Sequence, residues 1–184
     1  IIDSSQLDNK IFNEITDIIG KEQNTYDGFL IVNGTDTMAY LQSLLKWHVF
    51  GFLKPILITG AIDSYDFDKN EGLENLKYAL HQVRDFRNQS IVAIAMNQQT
   101  LRGPTTKFNS TAKSPYIEAI DSYIEDLRLE KESNCREVVI HSMTDAKIEI
   151  IYMNPCLFIP ENENIADALI IVAYGQGTFK KDNA

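Results

Sequence analysis

Three short runs, "FLIV" (29–32), "PILIT" (55–59) and "IVAIAM" (91–96), limit the folds open to this chain more than anything else in it. Each is continuously apolar and rich in β-branched residues, with none of the alternation of a strand that has one wet face. Each therefore predicts a strand covered on both sides, as in a largely parallel sheet. The stretches between them have helical spacing: Met38, Leu41, Leu45, Val49 and Phe52 fall on one stripe, and Leu73, Leu76, Leu80 and Val83 on another. Repeated strand, helix, strand alternation predicts an α/β domain, an open and largely parallel sheet with flanking helices, the unit from 29 to 59 being of the right-handed crossover type. Ahead of the first strand, Ile11, Phe12, Ile15, Ile18 and Ile19 predict a helix over 6–19, with Ser4, Ser5 or Asp8 as cap and Gly20 beyond its end.

Downstream, "NQQTLRGPTTKFNSTAKSP" (97–115) reads as a long polar loop, because Gly103, Pro104 and Pro115 interrupt regular structure and such a length suits a functional excursion. "VVIHSM" (138–143), "KIEIIYM" (147–153) and "ALIIVAY" (168–174) read as further strands. With no repeat, low-complexity tract or linker among its 184 residues, the chain is expected to form a single domain over 1–184.

Composition narrows the function. With 44% hydrophobic and 23% charged residues the chain can bury a core, and no apolar run approaches the roughly 20 residues of a membrane span. A net charge of −9 opposes nucleic acid and anionic lipid as partners and leaves a cationic or zwitterionic small molecule. Cys135 and Cys156 lack CxxC spacing, so they read as free thiols of a reducing compartment rather than a zinc site or a disulfide. The opening "IIDSSQLDNK" has neither an initiator Met nor a secretory leader, so the chain is expected to be cytoplasmic and cut off at its start.

The chemistry concentrates where the first strand ends, in "FLIVNGTDTMAY" (29–40). Gly34 allows the turn, and Thr35, Asp36 or Thr37 can cap the following helix. One cap accounts for one of the three, and the seam between a strand's carboxyl end and a helix is where open α/β sheets bind ligands. A hydroxyl beside a carboxylate suits a nucleophile that needs a base. Lys107, among hydroxyl residues in "GPTTKFN", is the candidate base, against the plainer reading of a solvated lysine. His48, His81 and His141 have no Ser or Cys motif around them, and "YGQGT" (174–178) lacks phosphate-loop spacing and reads as a turn.

With these residues in hand, the chain resembles the bacterial L-asparaginases, closest to their cytoplasmic type I branch. "DSS" (3–5), "DGFLIVNGTDTMAY" (27–40), "KPILITGA" (54–61), "EGLENLKYAL" (71–80) and "LRGPTTKFNSTA" (101–112) occur in that family's order and spacing. The resemblance implies an asparaginase N-terminal-type domain, truncated, in which Thr35, Asp36 and Lys107 are the catalytic set and Asp3, Ser4, Ser5, Thr35 and Asp36 bind substrate. It implies that Lys107 and Thr35 handle proton and attack on the side-chain amide, that Asp36 pairs with the α-ammonium and that Ser4 holds the α-carboxylate. It implies no cofactor and no metal, L-asparagine or L-glutamine as substrate, and a homo-oligomer, dimer or tetramer. The departures are Asn33 where the family has His, Ala61 and Ile62 where Ser-Gln is common, Glu71 for Asp, and Thr178 and Lys180 in place of an Asn-rich run. The family's first-strand "TGGTI" threonine and flap tyrosine have no counterpart in the 184 residues, so weak or no turnover is expected of this chain. A non-catalytic amino-acid-binding relative and the glutaminase-type subunit of a tRNA-dependent amidotransferase are the alternatives.

Overall fold

The computed structural model describes residues 3–61, 71–102, 105–108, 116–119, 137–152 and 166–173; within 105–108 and 116–119 it gives the strand backbones and, of the side chains, Ile117. The chain divides into two compact units, 1–143 and 144–184, beside the sequence reading of one domain.

In the first unit, Asp3 caps a single 3-10 turn (Ser4–Gln6), its side chain accepting from the Ser5 N–H, and α1 follows at Asn9–Glu22. The helix starts three residues later than its apolar spacing suggests, because Asp8 is the cap: its Oδ1 accepts the Ile11 N–H at 2.8 Å. It also runs through Gly20, and the Lys54 ammonium donates to the carbonyls of Gln23 and Tyr26 just beyond its end, where a cation suits both the carbonyls and the helix dipole.

Strand β1 (Phe29–Val32) leads to α2 (Thr35–His48), then to β2 (Val49–Phe50) and β3 (Pro55–Thr59). Helix α3 (Glu71–Asp85) precedes β4 (Ile91–Met96) and β5 (Gln99–Leu101). The four-stranded sheet has the order β1-β3-β4-β5, the first three parallel and β5 antiparallel. Asn97 and Gln98 both have positive φ, 50° and 56°, as a two-residue turn between β4 and β5 requires. The expected loop over 97–115 therefore contains β5 and also β6 (Thr105–Phe108), which pairs antiparallel with β7 (Tyr116–Ala119). A hairpin turn that uses only Asn and Gln carries no Gly or Pro to announce it. The short strand β8 (Val139–Ile140) pairs antiparallel with β2.

Both faces of the sheet are covered. Phe29, Ile31, Ile56, Ile58, Val92 and Ile94 meet Phe12 and Ile19 of α1 and Met38, Leu41 and Leu45 of α2. Leu57, Ala93 and Ala95, on the other face, meet Ala79, Tyr78 and Val83 of α3. The chain steps in one direction, from β1 to β3 and from β3 to β4, yet the connecting helices α2 and α3 lie on opposite faces. The two crossovers therefore have opposite hands, so one of them departs from the usual right-handed rule.

Two apolar stripes differ from their sequence reading. Val49 and Phe52 lie beyond α2, buried in a strand and the turn after it. In α3 the fully buried residues are Asn75 and Ala79, with Tyr78 and Val83 packed beside them, while Leu73 and Leu80 are 48% and 55% exposed. A small side chain and a hydrogen-bonded amide let this helix lie close to β3 and β4, an arrangement that apolar spacing does not mark.

In the second unit, β9 (Ile148–Tyr152) and β10 (Ala168–Val172) form a parallel pair, and the Lys147 N–H donates to Asp167 Oδ2 at 2.7 Å. Cys135, Cys156 and the "YGQGT" segment lie outside the described residues.

Candidate active site

The carboxyl end of β1 meets the amino end of α2, and the 3-10 turn at the start of the chain closes on the same point. Asn33 continues the sheet by donating its N–H to the Thr59 carbonyl at 2.8 Å. Gly34 is the N-cap of α2 and offers no side-chain cap, so Thr35, Asp36 and Thr37 are the first three helical residues. None of them is the cap that the sequence predicts. Glycine serves instead because of what sits on it: a Cβ at residue 34 would lie 2.3 Å from Ser4 Oγ and 2.8 Å from Ser4 Cβ. The seat occupied by Ser4 is the missing side chain of Gly34.

Three hydrogen bonds run in series from Asn33 across the head of α2, and the last of them reaches the turn. The Asn33 amide group donates to the Gly34 carbonyl at 2.8 Å and to Thr37 Oγ1 at 3.1 Å, and the Thr37 hydroxyl donates to the Ser4 carbonyl at 3.1 Å. Thr37, one of the three candidate caps in the sequence, instead ties together segments 33 residues apart. Asp3 is exposed and its Oδ1 accepts the Ser5 N–H at 2.9 Å. That backbone bond, followed by a bond from the Ser5 side chain, holds its carboxyl below the ordinary aspartate value. Asp36 is exposed in the first turn of α2, where the helix dipole favours a negative charge. Of the sequence-predicted residues, Ser4 meets the head of α2 that carries Thr35 and Asp36, and Asp3 and Ser5 shape the turn that presents it.

Lys107 is not a loop residue. It lies in β6, opposite Ile117 of β7, and β6 runs alongside α2. Its side chain lies outside the described residues, and so does the test of its convergence with Thr35 and Asp36.

The sequence reading passes over Asn75. Its Nδ2 donates to the Gly60 carbonyl at 2.8 Å and its Oδ1 accepts the Asn97 N–H at 2.8 Å, so one buried amide joins the carboxyl ends of β3 and β4. Gly60 is itself pressed against the site, since a Cβ there would lie 2.2 Å from the Asn33 carbonyl oxygen. A cavity of about 550 Å³ opens beside α3, lined by Glu71, Glu74, Lys77, Tyr78 and His81 among others; none of the predicted site residues lines it. No cluster of metal-ligating side chains occurs among the described residues. Among them, too, no helix is long and apolar enough to cross a membrane.

Residues 1–126 match the family model described as "Asparaginase, N-terminal". The chain is 26% identical over 197 residues to L-asparaginase 1 of Escherichia coli (strain K12), an alignment covering 100% of this chain and 58% of that one. It is 26% identical over 176 residues to a Glutamyl-tRNA(Gln) amidotransferase component of Thermoplasma volcanium, covering 84% of this chain and 42% of that one. Its fold superposes on the crystal structure of L-asparaginase I from Vibrio cholerae with a TM-score of 0.61 and 26% identity, over 85% of this chain and 51% of that one. The chain thus spans a little over half the length of the asparaginases it matches.

Proposed function

The chain belongs to the asparaginase family, and on that premise we propose that the head of α2 is the site of an amidohydrolase that converts L-asparagine to L-aspartate and ammonia. In this reading the Thr35 hydroxyl attacks the side-chain amide carbon, with Lys107 as the base that takes its proton, since an alcohol needs such a partner to be a useful nucleophile. The amide C–N bond breaks, the nitrogen leaves as ammonia with a proton returned to it, and water then cleaves the ester on Thr35. Asp36 pairs with the substrate's α-ammonium and Ser4 binds its α-carboxylate, with Asp3 and Ser5 holding the turn that presents Ser4.

One observation carries the reading: Ser4 sits on Gly34, the residue that caps the helix bearing Thr35 and Asp36. A donor for a carboxylate and an acceptor for an ammonium thus belong to one seam of the sheet, as recognition of a zwitterionic amino acid demands. The course of β6 beside α2 is consistent with delivery of Lys107 to the same place. The amidotransferase reading needs a partner for tRNA, and a chain of net charge −9 is poorly suited to hold a polyanion itself. We infer a cytoplasmic, homo-oligomeric protein, the oligomer to be read by light scattering, where a sharp monomer would refute it.

The deciding experiment measures ammonia release from L-asparagine and L-aspartate binding by the chain and by Thr35→Val. Removing the hydroxyl should lower turnover by about 10³ or more, because members of one catalytic set act as a unit, and should leave L-aspartate binding within a few-fold. Slow turnover by the unaltered chain belongs to the same reading. Binding with no turnover at any protein concentration would favour the non-catalytic alternative, and absence of both would end the amino-acid-site reading.

A further inference from the structure

We infer that Asn33 and Thr37 form a positioning relay that fixes Ser4 over the head of α2, so that Asn33, which need not touch a ligand, sets how strongly the site binds one. The functional consequence rests on the amino-acid site proposed above, but the relay itself is a matter of hydrogen-bond direction.

The direction is determined at Gly34. Asn33 places its side-chain amide 2.8 Å from the Gly34 carbonyl oxygen, a group that can only accept, so the NH₂ end must face it. With the NH₂ end fixed there, the second N–H donates to Thr37 Oγ1 at 3.1 Å. A hydroxyl has one proton, and with Asn33 donating to its lone pair Thr37 gives that proton to the Ser4 carbonyl at 3.1 Å. Ser4 is thereby held on two sides, through its carbonyl by Thr37 and through its side chain by the bare face of Gly34. The Ser4 carbonyl also accepts the Leu7 N–H at 3.1 Å, and the Gln6 N–H donates to the Asp3 carbonyl at 2.9 Å. The relay therefore anchors the whole turn that carries Asp3, Ser4 and Ser5. The N-cap Gly34 has no side chain with which to cap α2, so it leaves its bare face to Ser4.

Reversing one donor makes the relay testable. Asn33→Asp keeps the shape but replaces the NH₂ with an acceptor. The new oxygen is repelled by the Gly34 carbonyl and takes the Thr37 proton, leaving the Ser4 carbonyl with the Leu7 N–H alone and the turn without its tie to α2. Thr37→Val removes the hydroxyl at nearly constant volume, and Thr37→Ser retains it. Amide hydrogen exchange in the full 184-residue chain reads the turn directly at Ser5, Gln6 and Leu7, whether or not a ligand binds. Asn33→Asp and Thr37→Val should each accelerate exchange at these three amides about fivefold or more, the change expected from the loss of one ordinary hydrogen bond. Amides of β3 and β4 should be unaffected, and Thr37→Ser should stay within about twofold of the parent, since its hydroxyl preserves that bond. L-Aspartate affinity, by calorimetry, should fall by a similar factor in Asn33→Asp and Thr37→Val and recover in Thr37→Ser.

Unchanged exchange at residues 5–7 in Thr37→Val, with β3 and β4 protected, would overturn the relay, as would a Thr37→Ser chain as loose as Thr37→Val. Failure of Asn33→Asp to fold would leave the Thr37 pair to decide. If the parent chain does not bind L-aspartate, the amino-acid site falls, while the exchange measurements still accept or reject the relay.

Discussion

Asn75 is 3% exposed and spends its amide on two backbone groups, the Gly60 carbonyl and the Asn97 N–H. Asn75→Ala would leave both without a partner at the carboxyl edge of the sheet, and an unmade bond at a buried group costs more than a made one contributes. Destabilisation of about 2–3 kcal/mol is expected from urea unfolding, and a change below about 0.5 kcal/mol would mean that water replaces the side chain there. Asp3 supplies the pH dependence. Its folded carboxyl lies below the ordinary aspartate value because the ionised form accepts from the Ser5 N–H and side chain. A depressed carboxyl contributes order that is fully present above its unfolded value and is lost as pH falls through the folded one. The turn over 4–6 should therefore hold at neutral pH and open in acid, below the ordinary aspartate range. NMR shifts of Ser5 and Gln6 followed on acidification would check it, and Asp3→Ala, which offers the Ser5 N–H no acceptor, should show the open turn at every pH.

Two glycines separate the stability of the elements from the geometry of the site. At Gly60 an added Cβ would strike the Asn33 carbonyl oxygen at 2.2 Å, a backbone atom held in the sheet, so Gly60→Ala should destabilise by about 1–3 kcal/mol by forcing the ends of β1 and β3 apart. At Gly34 the added Cβ meets only the side chain of Ser4, in a surface 3-10 turn tied to α2 by a side-chain hydrogen bond rather than by a sheet. Gly34→Ala should thus cost little in thermal stability while displacing Ser4 and weakening L-aspartate binding about tenfold or more, a loss equal to one charge-assisted hydrogen bond. Equal stability losses in the two variants would contradict this division. The same contrast explains what is legible in the sequence. The strands "FLIV", "PILIT" and "IVAIAM" appear with the bounds read from their composition; β3 and β4 are buried throughout, as continuous apolar residues require, whereas β1, at the end of the sheet order, is only half-buried and its Val32 is 70% exposed. The α3 stripe misleads in part, because Val83 packs on the sheet but the buried residues are Asn75 and Ala79 while Leu73 and Leu80 are exposed, and β5 and β6 are hidden in a polar stretch where the turn into β5 uses no glycine. Asp36 and Thr35 are legible as surplus polar residues at a strand end. The Asn33 to Thr37 to Ser4 relay is not, since its acceptor is a backbone carbonyl 33 residues away and backbone groups leave no mark in a sequence.

At the scale of the whole molecule, the two compact units differ in how their backbone hydrogen bonds are protected. In the first, every residue of β3 and β4 is buried, and helices cover both faces of the sheet they form. In the second, all five residues of β10 are exposed, as are four of the five in β9, although Ile148, Ile150, Leu169, Ile170, Ile171 and Val172 are apolar. Parallel strands are stable when both faces are covered, and a two-stranded sheet alone is marginal in water. Local opening free energy follows buried apolar contact, so β9 and β10 should open without the rest of the molecule. Hydrogen exchange on the native chain should find amides of 148–152 and 168–172 exchanging at least about a hundredfold faster than those of β3 and β4, a gap of roughly 2.7 kcal/mol in opening free energy. The gap should narrow with rising protein concentration if copies of the chain cover this apolar pair, because association that buries it stabilises it by mass action. Protection of β9 and β10 equal to that of β3 and β4 in dilute monomer would show that the second unit is as stable as the first, and that exposure is a poor guide to opening in this fold.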